Sequence, residues 1–108
     1  MEQVIEQNTQ IVFMEGVVAH KEGNLREAQR LYRSILQHNP LHPDANHKLG
    51  LLEISFNKVD MALSLFKIAL EQNPNIEQFW LSYLDALITA KKFDTATQVI
   101  KQAESHGL

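Results

Sequence analysis

The sequence predicts an all-α protein, a solenoid of three helix-turn-helix repeats. Two stretches, "LQHNPLHPDAN" and "LEQNPNIEQFW", carry the same Asn-Pro pair at an offset of 34 residues, and an offset this regular indicates duplicated units. The same offset aligns apolar residues into four columns: Ala28, Ala62 and Ala96; Tyr32, Phe66 and Ile100; Ile35, Ala69 and Ala103; Leu25, Val59 and Phe93. Their spacing within a copy is three, four and three residues, which is the apolar stripe of an amphipathic helix.

Each copy also carries an apolar stripe in its first half, so each copy predicts two helices. The stripes consist of Val12, Val17 and Ala19 in the first copy, Leu49, Leu52 and Phe56 in the second, and Trp80, Tyr83 and Leu87 in the third. The six predicted helices span residues 3–21, 25–38, 43–56, 59–72, 76–90 and 93–106.

Short connections and close contacts complete the predicted repeats. The segments "EGN", "FNK" and "AKK" join the two helices of each copy, and connections this short suit antiparallel neighbours. Between copies, proline lacks an amide donor and ends the preceding helix. Gly16 and Gly50 fall in mid-helix, where glycine costs about 1 kcal/mol relative to alanine. Both positions therefore predict the close approach of another side chain.

The composition argues against several partners and chemistries. The 108 residues suffice for one small domain or array. Ten Lys and Arg against thirteen Asp and Glu lack the basic excess of nucleic-acid-binding proteins. The absence of Cys excludes disulfides, Cys-based zinc sites and a cysteine nucleophile. The first residues do not resemble a signal peptide, and no run approaches about 20 apolar residues, so we expect a soluble, cytoplasmic chain that does not contact a membrane.

Catalytic and metal sites are not expected. The serines are scattered, without a glycine-flanked turn or an activating His. Glu53 and Asp85 can be drawn as a carboxylate pair but are interpreted as solvated helix-face charges. His38, His42 and His47 cluster around the first Asn-Pro, yet no Cys or tight His pair completes a ligand set. We therefore predict no enzymatic activity, no metal and no cofactor.

A 34-residue helix-turn-helix unit with Gly in its first helix, Ala and an aromatic four residues later in its second, and Pro at its end resembles the tetratricopeptide repeat. The resemblance implies a right-handed solenoid, with residues 1–8 as a lead-in and repeats at 9–42, 43–76 and 77–108. The second copy fits best, with Leu49-Gly50, Ala62, Phe66, Ala69 and Pro74 in family positions. The first copy departs at Glu15, where Leu is usual, and the third departs at Leu84 and Ile100, which replace Gly and the aromatic.

The resemblance further implies a module that holds a protein or peptide in the concave groove of the first helices. The groove-facing family positions are occupied by Gln10, Phe13, Val17, His20 and Lys21; Asp44, His47, Leu51, Ile54 and Ser55; Gln78, Leu81, Asp85, Ile88 and Thr89. A family subtype that grips chaperone C-terminal carboxylates needs several cations, and this chain has only Lys48 among Phe13, Val17, Lys48, Gln78 and Ser82. We expect an apolar or amphipathic segment as the ligand instead. Val17 and Ile88 can also be interpreted as ordinary core residues.

The ends of the chain suggest an alternative function. Trp80 and Tyr83 are predicted to pack between helices, whereas Phe79 is predicted to point elsewhere, where it would anchor a partner or a second copy. A solenoid end without a polar-backed helix leaves an apolar flank, so self-association through uncapped ends is the alternative. The amino-acid sequence of the repeats is similar to bacterial segments that precede glycosyltransferase, sulfotransferase or methyltransferase domains. This similarity implies a role beside such a domain in a longer protein.

Overall fold

Residues 2–108 form an array of six α-helices joined by short turns. The computed structural model describes the backbone of residues 2–108 and the side chains of residues 8–108. Its helices are α1 (Glu2–Lys21), α2 (Leu25–His38), α3 (Pro43–Ser55), α4 (Val59–Gln72), α5 (Glu77–Thr89) and α6 (Phe93–Ser105). Each helix packs against the next one, and α3 also contacts α5. The predicted helices are confirmed, with ends that agree within one residue.

The turns inside the three repeats share one backbone geometry. Gly23, Asn57 and Lys91 lie 34 residues apart, and their φ angles of 80°, 60° and 60° are all in the left-handed region. Glycine adopts this region without strain, and Asn tolerates it better than most other residues. The common geometry returns each second helix along its partner in the same way, so the three helix pairs stack in register.

An Asn-Pro pair follows each of α2 and α4, and a side chain of the next repeat donates a hydrogen bond to the proline carbonyl. The side-chain amide Nδ2 of Asn46 donates to the carbonyl of Pro40 at 2.9 Å, and the indole Nε1 of Trp80 donates to the carbonyl of Pro74 at 2.8 Å. The two donors lie 34 residues apart, as do the two prolines. Different side chains thus satisfy the same turn carbonyl at the two junctions between repeats.

The two mid-helix glycines allow the close contacts that the sequence predicts. A Cβ added to Gly16 would lie 2.6 Å from the ring of Tyr32, and one added to Gly50 would overlap the ring of Phe66. Both aromatic rings are fully buried, because the bare glycine backbone leaves room for them. The third repeat has Leu84 in place of the glycine and Ile100 in place of the aromatic, so the two departures from the pattern occur together.

Burial overturns two predictions. Phe79 is buried and packs against the ring of His47 at 4.8 Å between centroids. The prediction that it points away from the core is wrong, because it occupies the register of Ala45, which faces the preceding repeat. Glu53 has no exposed surface, so its interpretation as a solvated charge is also wrong.

Two of the four apolar columns are more exposed in the third repeat than in the first two. Ile100 is 43% exposed, whereas its counterparts Tyr32 and Phe66 are fully buried. Phe93 is 58% exposed, whereas its counterparts Leu25 and Val59 are half-buried. The helices α2 and α4 are each covered by the helix that follows them. Within residues 2–108 no helix follows α6, and these two side chains therefore face solvent.

Candidate partner-binding surface

The predicted groove residues divide into an exposed apolar set, a half-buried set and a polar set. We call these residues of α1, α3 and α5, which are predicted to share one side of the array, the groove face. Ile54, Leu81 and Ile88 are exposed by 37%, 46% and 51%. Phe13, Val17, His20 and Leu51 are half-buried. The exposed polar members are Gln10, Lys21, Asp44, Ser55, Gln78, Asp85 and Thr89.

Phe13 and Leu51 belong partly to the core. The ring of Phe13 lies 5.7 Å from that of Tyr32 and is stacked on His42 at 5.9 Å. Leu51 packs against the cluster of buried residues formed by the second and third repeats. Both side chains contribute to the core, so their substitution would alter stability as well as any binding.

His47 is another of the predicted groove residues, and it links α3 to α5. Its Nε2 is 2.8 Å from the Oγ of Ser82, which also accepts a hydrogen bond of 3.2 Å from the exposed Gln78 side chain. The imidazole packs on Phe79 and, at 5.6 Å between centroids, on Phe66. His47 is therefore buried, and of this hydrogen-bonded chain Gln78 is the member that reaches the surface.

Lowering the pH should destabilise the protein through protonation of His47. Burial lowers the pKa of this imidazole, the charge of Lys48 lowers it further, and Asp44 acts in the opposite direction. The folded protein therefore favours the neutral ring, and the resulting stability is complete above the ordinary value of 6.5 and is lost as the pH falls through the lowered pKa. We expect the melting temperature to fall more steeply between about pH 7 and pH 5 in the native protein than in His47→Gln. Identical slopes would contradict this assignment.

The charged residues at the predicted groove positions are of both signs. Lys21 is exposed on α1 and Lys48 is half-buried on α3, whereas Asp44 on α3 and Asp85 on α5 are exposed. In the part of the chain that the structure describes, no group of three or more His, Cys, Asp or Glu could hold a metal ion. His42 is instead the N-cap of α3, where its Nδ1 accepts a hydrogen bond of 3.0 Å from the amide of Ala45.

A second cluster, at the junction of the first two repeats, was missed by the sequence prediction. The buried carboxylate of Glu53 accepts a hydrogen bond of 2.6 Å from Gln29, and Arg33 lies 3.6 Å away. Arg26 donates to the other amide atom of Gln29 and lies over the Phe56 ring at 4.2 Å. Comparison of the repeats at the 34-residue offset could have indicated this cluster, because Glu53 corresponds to the apolar Ala19 and Leu87 in the other repeats.

Comparison with known proteins agrees with this architecture. A family profile described as the tetratricopeptide repeat matches residues 19–75, and the chain belongs to this family. Over 70 residues, 65% of the chain, it is 30% identical to human tetratricopeptide repeat protein 7A, of whose length it spans only 8%. No helix in the described residues has the length and apolarity needed to cross a membrane.

Two solved structures show the same fold. The crystal structure of MamA has a TM-score of 0.83 at 19% identity, over 92% of this chain and 58% of that one. The first tetratricopeptide domain of Spaghetti (RPAP3), bound to the HSP90 peptide SRMEEVD, has a TM-score of 0.81 at 17% identity, over 93% of this chain and 79% of that one. Tetratricopeptide domains are typically protein-interaction modules, and this neighbour was solved with a bound peptide.

Proposed function

We propose that the protein binds an apolar or amphipathic peptide segment of a partner on its groove face. The observation that carries this proposal is the exposure of Ile54, Leu81 and Ile88 on α3 and α5, two helices in mutual contact. Exposed apolar side chains on neighbouring helices that also carry polar residues commonly mark a partner site. In a longer protein, such a module would hold its partner beside a transferase domain, as the sequence resemblance implies.

The expected ligand differs from the acidic peptide SRMEEVD bound by the Spaghetti neighbour. A carboxylate-rich peptide needs several cationic donors for strong, charge-assisted hydrogen bonds. Among the five positions that correspond to the carboxylate-gripping residues, this chain offers only Lys48, beside Phe13, Val17, Gln78 and Ser82. An apolar stripe on a peptide helix would instead cover the three exposed side chains of the groove face.

Selection of displayed random peptides on the native chain tests the groove proposal. We expect the enriched peptides to share apolar residues at helical spacing. The double variant Leu81→Asp with Ile88→Asp should weaken their binding at least about tenfold, because it places charge where apolar contact is needed. Binding is measured by fluorescence anisotropy. Phe13 and Leu51 stay unchanged, because both pack against the core.

The matched control carries the same chemical change outside the groove face. Phe93→Asp with Ile100→Asp alters two exposed side chains on α6 and should leave peptide affinity within about twofold of the native value. Circular dichroism checks that both variants are folded. Failure to enrich any peptide, or equal affinity for the groove variant and the native chain, would refute the groove proposal.

Self-association is the second candidate function. The exposure of Phe93 and Ile100 on α6 favours it, since apolar residues on an unpartnered helix face are stabilised by burial against another surface. Phe79 does not contribute to this candidate, because it is buried. Light scattering that gives 12.4 kDa at every protein concentration would exclude self-association.

A further inference from the structure

The outer surface of α1 is a second apolar face that the groove proposal does not use. Ile11, Met14 and Val18 lie at helical spacing on this surface and are exposed by 57%, 67% and 52%. They line an open cleft of about 480 Å³ whose floor includes Ala19 and the buried Leu31 of α2. We call this surface, with the carboxylates described below, the α1 end face.

The internal junctions show what kind of element covers such a face. Ile11 and Val18 correspond by the 34-residue offset to Ala45 and Leu52 of α3, both fully buried. The element that covers this side of α3 is α2, and α4 covers the corresponding side of α5. At both internal junctions, a helix of the protein itself therefore covers the corresponding positions. The geometry favours a helix as the occupant of the α1 end face as well.

The charges on the α1 end face determine the kind of helix. Glu15, Glu22 and Glu27 border the cleft, at positions where the later repeats have uncharged residues, namely Leu49, Phe56 and Met61 in the second and Tyr83, Ala90 and Thr95 in the third. Arg30 neutralises Glu27 through two hydrogen bonds, one of them 2.9 Å long. Glu15 and Glu22 remain exposed, so the border favours a cationic partner.

A second copy stacked head to tail does not meet this requirement. At the first internal junction, Arg26 lies over Phe56. The corresponding residues in a head-to-tail stack with the same geometry are Asp94 of one copy and Glu22 of the next. Two carboxylates in contact repel each other, whereas a Lys or Arg at the first of these positions would pair with Glu22.

We propose that the α1 end face binds a basic amphipathic helix of a partner protein, whose apolar stripe covers Ile11, Met14 and Val18 and whose Lys or Arg residues pair with Glu15 and Glu22. This site is separate from the groove face. The two can therefore be occupied together, and each can be lost without the other.

A pair of synthetic peptides of about 20 residues, long enough to form a helix, tests the proposal. In the first peptide, Leu recurs at alternating intervals of three and four residues, and all other positions are Lys or Arg. The second peptide has the same Leu residues, with Glu in place of each cation. We expect the native chain to bind the basic peptide at least about tenfold more tightly than the acidic one in fluorescence anisotropy, with a preference that shrinks as salt is added.

Two variants separate the apolar and the charged contributions. Met14→Asp should weaken binding of the basic peptide at least about tenfold, and the exposure of Met14 means that the fold should tolerate the change. Glu15→Lys with Glu22→Lys should reverse the preference, so that the acidic peptide binds more tightly. Reversal is a result that simple loss of structure would not produce.

The controls change equivalent residues elsewhere. Glu71→Lys with Glu104→Lys replaces two other exposed acids and should retain the preference, and Leu81→Asp on the groove face should retain binding of the basic peptide. Equal binding of both peptides, no binding of either, or full binding by Met14→Asp would overturn the proposal. If the molecular mass of the native chain doubled with concentration and that of Met14→Asp did not, the occupant of the α1 end face would be a second copy of the chain rather than a partner helix.

Discussion

Replacing Phe66 by Ala should lower the free energy of unfolding by about 3–5 kcal/mol, as is typical of a deleted core aromatic. The ring is 1% exposed, faces the bare backbone of Gly50 and packs against His47. Because small domains are stable by only about 5–15 kcal/mol, this single change should remove a large part of the total. Urea denaturation followed by circular dichroism measures the loss.

The matched control is Phe93→Ala, the same chemical change on a side chain that is 58% exposed. It should change the free energy of unfolding by about 0.5 kcal/mol or less. Comparable losses for the two variants would contradict the assignment of Phe66 as a central packing residue.

The direction in which Gly50→Ala changes the stability tests the contact between Gly50 and Phe66 more directly. In the native chain, a methyl group at Gly50 overlaps the Phe66 ring, so Gly50→Ala should destabilise by about 1–3 kcal/mol through overpacking. In the Phe66→Ala background the overlap is gone, and the same substitution should stabilise by about 1 kcal/mol through helix propensity. If Gly50→Ala destabilises equally in both backgrounds, the cost does not arise from the ring.

The regular part of the fold follows from the sequence because it depends on local rules. Helix stripes, short turns and the proline stops repeat every 34 residues, and each of them acts within a few residues of chain. The glycine contacts could also be predicted, since a mid-helix glycine has a cost that only a close contact offsets. The rings that meet Gly16 and Gly50 are Tyr32 and Phe66, which the apolar columns had already identified.

Predictions failed where burial depends on the neighbouring repeat. Phe79 and Glu53 lie on helix sides that face the preceding repeat, and the stripe of their own helix does not reveal that contact. Glu53 looks like an ordinary surface acid until it is compared with Ala19 and Leu87 in the same register. The binding residues on the groove face remain predictions, because exposure of Leu81 and Ile88 does not identify a ligand.

The polar pair Gln29 and Glu53 should cost stability rather than supply it. Both side chains are buried, and within the described residues one carboxylate oxygen, Oε2 of Glu53, has no hydrogen-bond partner. Moving a carboxylate out of water is expensive, and one short hydrogen bond from Gln29 with a half-exposed Arg33 at 3.6 Å offsets only part of that cost. The second junction has Leu63 and Leu87 at the corresponding positions, and both belong to one apolar cluster.

We therefore expect the double variant Gln29→Leu with Glu53→Leu to raise the free energy of unfolding by about 1–4 kcal/mol, as buried charges replaced by apolar residues often do. The single variant Gln29→Leu should instead lower it by about 3 kcal/mol, because it leaves a buried carboxylate without its donor. Glu53→Leu alone should lie between these values, since it removes the charge but leaves the amide unpaired.

This strong departure from additivity is the signature of a coupled pair, and urea denaturation of the four proteins measures it. The reciprocal exchange, Leu63→Gln with Leu87→Glu, introduces the polar pair into the second junction and should be destabilising. A double Leu variant less stable than the native chain would show that the first junction is shaped around its polar pair, and that Arg33 contributes more than its half-exposed position indicates.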